Sequence, residues 1–232
     1  MRCAIMQPTY LPWSGYFNLI ASVDVFVFLD NVQFEKQSWQ SRNRILLQSR
    51  EHLIIVPVVH APLSTPICDI VTSDRRSNWR HDHLKVLQAA YGKAPHGQEL
   101  IELLEPFYTL PSPVRLAEFN IDLIECLTRA LDLQTRFVKA SNLDCFGERT
   151  QRLIAICEEL SASTYVSPKG SADYLAEDDF ARNTNIPLEV QSYEPAPYRQ
   201  YRANVFTSHL SIIDVIANIG LADTRTYVSE FS

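Results

Sequence analysis

Two short unbroken apolar runs stand near the start of the chain. Cys3-Ala4-Ile5-Met6 is closed by Gln7-Pro8, and the β-favouring run Val25-Phe26-Val27-Phe28-Leu29 is closed by Asp30-Asn31. Between them, Gly15 to Ser22 carries helical apolar spacing at Phe17, Ile20 and Ala21. Strand, loop, helix and strand within about 30 residues predict a right-handed βαβ unit whose strands are buried on both faces of a parallel sheet.

The next apolar run, Leu53 to Val59, reads as a buried strand, with Ile67 to Val71 as its partner across the Pro-rich turn His60 to Pro66. Three helices are then expected: Asn78 to Tyr91 with Ser77 as N-cap, Gln98 to Tyr108, and Val114 to Leu131 with an apolar stripe at Leu116, Phe119, Leu123 and Leu127. They read as a helical insertion over about residues 77–132. The alternation resumes with strand Arg136 to Val138, helix Glu148 to Leu160, strand Thr164 to Ser167, a short helix Asp179 to Thr184, strand Leu188 to Tyr193, and a final helix Ile212 to Ile219 ending before Gly220. The whole predicts one α/β domain over residues 1–232, Rossmann-like, with a mainly parallel sheet covered by helices on both faces.

With 232 residues, 46% of them hydrophobic, the chain can bury a core without disulfide or metal support. Five scattered cysteines without a C-x-x-C pair indicate neither a disulfide framework nor a zinc ribbon, and no metal or cofactor is expected. A net charge of −6 argues against an overall grip on nucleic acid and favours a small-molecule or protein partner. Met1 to Met6 is too short an apolar stretch for a signal peptide or membrane span, so a cytoplasmic location without a membrane partner is expected.

Ligands of open α/β sheets collect at the carboxyl ends of the strands, which directs attention to the loops after Met6, Leu29, Val138 and Val166. The first, Gln7 to Tyr16, holds Gln7, Tyr10, Trp13, Gly15 and Tyr16; amides at the helix start could bind phosphate or carboxylate, with Gly15 permitting close approach. A stiff turn whose aromatics fill core explains the same residues. The second, Asp30 to Asn43, is dense in directed hydrogen-bonding groups: Lys36 and Arg42 for phosphate, Trp39 for stacking, Gln33, Gln40 and Asn43 as amides, Asp30 for proton transfer or hydroxyl binding. Asp30 as the cap of a turn is the alternative. The third, with Ser167, Lys169 and Ser171, could complete an anion site or be a plain turn. His81 and His83, two apart on a predicted helix, point in different directions and do not make a metal pair. His209 precedes the last helix and is a candidate proton acceptor, while Ser208 or Ser211 reads as the cap.

Met6-Gln7-Pro8-Thr9-Tyr10-Leu11-Pro12-Trp13, Gly15-Tyr16-Phe17, Phe28-Leu29-Asp30, Val32-Gln33-Phe34, Ser38-Trp39-Gln40 and Arg42-Asn43 resemble the WbqC-like family. Tyr91 with Ala94-Pro95, Ser171 to Leu175 and Leu210 to Asp214 extend the likeness over nearly the whole chain, with a departure at the turn Glu194 to Tyr198. The resemblance implies a bacterial cytoplasmic protein of surface-polysaccharide or unusual amino-sugar pathways. It suggests acyl or aminoacyl transfer to the amino group of a nucleotide-linked sugar, with Lys36 and Arg42 on phosphate and Asp30 or His209 taking the amine proton. Trp13-Ser14-Gly15-Tyr16 also stands where nucleotidylyltransferases carry a His-x-Gly-His type motif, but without the two histidines that support attack on the α-phosphate. A non-catalytic nucleotide- or sugar-binding module and a purely structural interaction protein are the other readings. Under any of these readings the chain could be a homodimer.

Overall fold

The structure is a computed structural model that describes residues 1–75, 78–109, 113–171, 175 and 177–230. Five parallel strands form its central sheet: β1 (Arg2–Met6), β2 (Val25–Phe28), β5 (Arg136–Lys139), β6 (Thr164–Ser167) and β7 (Leu188–Val190), in the order β5-β2-β1-β6-β7. The predicted unit is present, with α1 (Ser14–Ala21) crossing between β1 and β2. Alternation along the strands divides the core into two layers. Ala4, Phe26 and Phe28 pack into one, whereas Cys3, Ile5, Val25 and Val27 pack into the other. Both faces of the sheet are therefore buried, which is why these strands read as continuous apolar runs. The architecture is α/β and Rossmann-like.

The larger layer takes α1, α2 (Trp79–Tyr91), α3 (Gly97–Thr109), α4 (Leu116–Ala130) and α7 (Ile212–Ser229); the smaller takes α5 (Arg149–Glu159) and α6 (Phe180–Asn183). The stripe foreseen on α4 is buried at Leu116, Phe119, Leu123 and Leu127. Helix α7 breaks at Gly220, where φ of +81 leaves the helical region and a Cβ would lie 2.8 Å from the His96 ring. A further helical segment runs on past it to Ser229. No described helix is long and apolar enough to cross a membrane.

Two expectations need correction. The strand pair Leu53 to Val59 with Ile67 to Val71 is not formed. The extended segment is instead β4 (Arg50–Ile55), paired antiparallel with β3 (Arg42–Leu47), while Ile67–Asp69 is a 3₁₀ turn and only Val58 meets Thr72 in an isolated bridge. Gln48 and Ser49, with φ of 51° and 64°, make the two-residue turn, the left-handed pair that matches strand twist in a tight hairpin. Such turns favour Asn-Gly, so Gln-Ser gives no sequence signal. Nor is β4 buried: of its residues only Ile54 is. Ser77 lies outside the described residues, and Asn78 caps α2 by accepting from the His81 amide. All five cysteines are free, Cys3 and Cys157 fully buried and the other three partly so.

Candidate functional site

From β1 the chain runs outward through β2 to β5, returns across the sheet, and adds β6 and β7 on the other side. The crossovers part at the carboxyl ends of β1 and β6, where such sheets open a crevice. The loop leaving β1 is fixed there by internal bonds. Asn43 Nδ2 donates to the carbonyls of Tyr10 and Leu11 at 2.9 and 2.8 Å, while Asn43 Oδ1 accepts from the Arg44 amide. The Tyr10 amide donates to the Trp39 carbonyl at 3.0 Å. Gln40 joins Gln7 Oε1 at 2.9 Å and accepts from the Glu35 amide, and Asn120 on α4 donates to the carbonyls of Pro8 and Gln40. These bonds hold Leu11, fully buried, at φ of +42, a conformation a non-glycine residue keeps only when its surroundings fix it.

Below the loop the Tyr10 phenol is sealed in the core. It meets His83 Nδ1 at 2.9 Å and Tyr108 Oη at 2.5 Å, and burial pushes its pKa well above the ordinary tyrosine range. Burial lowers the His83 pKa to about 4, against a smaller opposing effect of the Ile55 backbone, so this imidazole is neutral at pH 7.

Above the loop lies a cleft in two compartments. One, of about 480 Å³, opens between the β1 loop and the turn after β6, with Gly15, Lys169, Gly170, Gln191 and Glu194 among its walls. The other, of about 200 Å³, faces the hairpin through Thr9, Pro12, Trp39, Asn43 and Arg44. Met6, Trp13, Tyr16 and His209 border both. Trp13 and His209 stack at 4.8 Å between ring centroids. His209 has φ of +58, and its Nδ1 lies 2.9 Å from Ser208 Oγ. Its backbone is held by Arg44, whose guanidinium donates to the His209 carbonyl at 3.2 Å, and Ser211 caps α7 immediately after it. Lys169 pairs with Glu194 at 2.6 Å and holds that carboxyl below its usual range.

The three predicted loops thus meet, but their residues divide. Trp13, Gly15, Tyr16, Trp39, Asn43, Lys169 and His209 border the cleft. Gly15 does so for a different reason from the one expected. A Cβ there would lie 2.2 Å from the Trp13 ring, so the glycine makes room for the indole. The Tyr16 hydroxyl donates to the Gln7 carbonyl. Tyr10 is buried beneath the loop, and Gln7 and Gln40 bond to each other outside the cleft lining. Ser167 is wholly buried at the end of β6, and the Ser171 amide closes the following turn on Pro168.

Asp30 is also buried, on the β5 side of β1. Ser141 donates to its two carboxylate oxygens through the backbone amide at 2.8 Å and the hydroxyl at 2.6 Å, so Asp30 neither faces the cleft nor caps the next turn of a solvated loop but ties β2 to a distant segment. Gln33 and Lys36 are exposed beside a separate hollow of about 510 Å³ formed with Val58 to Leu63. Arg42 stands outside the lining, with its guanidinium 5.8 Å from the Trp39 ring. Sequence reading missed Arg44 and Gln191. Arg44 alternates with Arg42 on a strand that gave no hairpin signal, and Gln191 directly follows β7, where the carboxyl-end rule would have found it. Gln191 anchors the floor by donating 2.7 Å bonds to the Gly15 carbonyl and Asn18 Oδ1. No metal-binding group of three or more ligands occurs among the described residues.

A sequence model described as the WbqC-like protein family matches residues 7–226. The uncharacterized protein Rv1507c of Mycobacterium tuberculosis is 29% identical over 226 residues, which span 94% of each chain. No solved structure matches the chain.

Proposed function

This chain belongs to the WbqC-like protein family, and from that premise we propose that it is a transferase that moves an acyl or aminoacyl group onto the amino group of a nucleotide-linked sugar. The observation that carries the reading is the two-compartment cleft at the topological switch point, with Trp13 and His209 shared by both halves. A two-substrate reaction needs two adjoining seats and a proton acceptor at their junction. His209 stands there, and its Nε2 has no hydrogen-bond partner among the described residues. In the proposed step the neutral sugar amine attacks the carbonyl of an activated ester or thioester donor. A C–N bond forms, the bond from carbonyl to leaving oxygen or sulfur breaks, and the amine proton passes through His209 to the leaving group. Asp30, occupied by Ser141, and Lys36, outside the cleft, have no part in this scheme. The absence of both histidines of the His-x-Gly-His type motif at Trp13 to Tyr16 weighs against adenylyl transfer.

The test is incubation of the purified protein with amino-sugar nucleotides and activated acyl or aminoacyl donors, read by mass spectrometry for acylated product. His209→Ala is expected to lower turnover by about 100-fold or more, within the usual range for a lost general base, and to leave nucleotide-sugar binding in place. Nucleotide-sugar binding without turnover with any donor class would replace the transferase with a binding module.

A further inference from the structure

The hairpin face beside the smaller compartment carries one arginine that the fold uses, Arg44, bound to Glu51 and to the His209 carbonyl, and a second, Arg42, that has no ion pair among the described residues. Arg42 and Arg44, two apart on β3, point to the same side, and both guanidinium carbons lie within 6 Å of the Trp39 ring centre, at 5.8 and 5.6 Å. Each Nε is buried without a hydrogen-bond partner. Arg44 is neutralised by Glu51 at 3.0 Å, but Arg42 has no ion pair among the described residues. The charge left without a counter-ion is that of Arg42, whose planar donor fork matches phosphate oxygens, with the Arg44 guanidinium beside it. Across the hairpin, Ile55 pairs with Arg42 and Leu53 with Arg44. Both are large apolar side chains left exposed, at 51% and 40%, beside Trp39 at 47%. A chain with net charge −6 thus presents a cationic, aromatic and aliphatic strip at the mouth of its cleft.

We infer that this strip is the seat of a nucleoside diphosphate. The two phosphates lie against Arg42 and Arg44, and the base rests on Trp39 and the aliphatic pair. The inference rests on the sugar-nucleotide reading above and fixes the orientation of that ligand: the sugar enters the smaller compartment toward His209, and the Lys169 compartment is left for the second substrate.

Titrations with UDP and ADP, followed by calorimetry, test it directly, with UDP-linked amino sugar run in parallel and urea unfolding as the check on folding. Arg42→Ala is expected to weaken nucleoside diphosphate binding at least tenfold, Arg42→Lys to restore only part of it because an ammonium cannot make the bidentate contact, and Trp39→Ala to weaken it at least fivefold. Wild-type affinity should fall as salt rises. Undiminished binding in correctly folded Arg42→Ala and Trp39→Ala would overturn this placement while leaving the sugar-nucleotide reading intact. No binding of either UDP, ADP or the nucleotide sugar to the wild-type protein would overturn both.

Discussion

The amide cluster at the base of the β1 loop and the outer face of the β3–β4 hairpin come from one stretch of chain, yet they differ in how far their polar groups are satisfied. In the cluster, Asn43 bonds three neighbouring backbone groups through its amide, and Gln40 bonds Gln7 and the Glu35 amide. On the hairpin, Arg42 keeps, among the described residues, a buried Nε without a hydrogen-bond partner and a charge without a counter-ion. Density of polar and aromatic residues does not distinguish these regions; satisfaction does. Groups saturated by the fold set its shape, and groups the fold leaves open are those a ligand can use.

The sharpest way to break this comparison is Asn43→Ala. It strips two buried carbonyls of their donor, and at about 1–3 kcal/mol for each unsatisfied group the loss of folding free energy should be near 4 kcal/mol, read from urea midpoints. A loss below about 1 kcal/mol would mean that the cluster does not hold the loop. His83 tests the same region through pH. Its folded pKa of about 4 lies below the ordinary value of 6.5, so the folded state binds fewer protons than the unfolded one between them. The associated stability is fully present above pH 6.5 and is lost as pH falls toward 4, by about 3 kcal/mol over that window. Unfolding of His83→Gln at pH 7 and pH 4.5 should show a flatter dependence than the wild-type chain.

Gly15→Ala tests the join between the two regions. The added Cβ must push the Trp13 ring aside, at a cost of about 1–3 kcal/mol typical of overpacking, and unstack it from His209. Near-ultraviolet circular dichroism should report the displaced indole. The smallest effect belongs to the open face: Arg42→Ala should leave folding stability within about 0.5 kcal/mol of wild type, because among the described residues it loses no ion pair and only the contact with the exposed Trp39 ring. A cost comparable to that of Asn43→Ala would show that Arg42 belongs to the scaffold after all.

Much of the fold was legible in the sequence because burial on both sheet faces writes itself as unbroken apolar runs, as in Val25 to Leu29, and because α4 carries its stripe in helical period. The hairpin was not, since its turn is Gln-Ser and its strand β3 begins with Arg-Asn-Arg, which reads as loop. That single miss hid Arg44 and placed Arg42 and Asn43 in a common loop, although adjacent residues of a strand face opposite ways. Asn43 therefore turns inward to the Tyr10 and Leu11 carbonyls while Arg42 turns out toward Trp39. Asp30 and Gly15 illustrate the same limit. Their positions at a strand end and a helix start were foreseen, but Ser141 lies 111 residues from Asp30 in sequence, and no local pattern announces it.

By itself, then, the sequence determined the α/β class, the βαβ start and the helix boundary at Gly220, because these depend on periodicity and on the handedness of short connections. Only the tertiary structure decided which polar groups in the loops are consumed and which remain available. Hydrogen-bond partners such as Ser141 for Asp30, Asn120 for the Pro8 carbonyl and His83 for Tyr10 arrive from distant segments, and satisfaction is a property of the packed chain rather than of any residue in it.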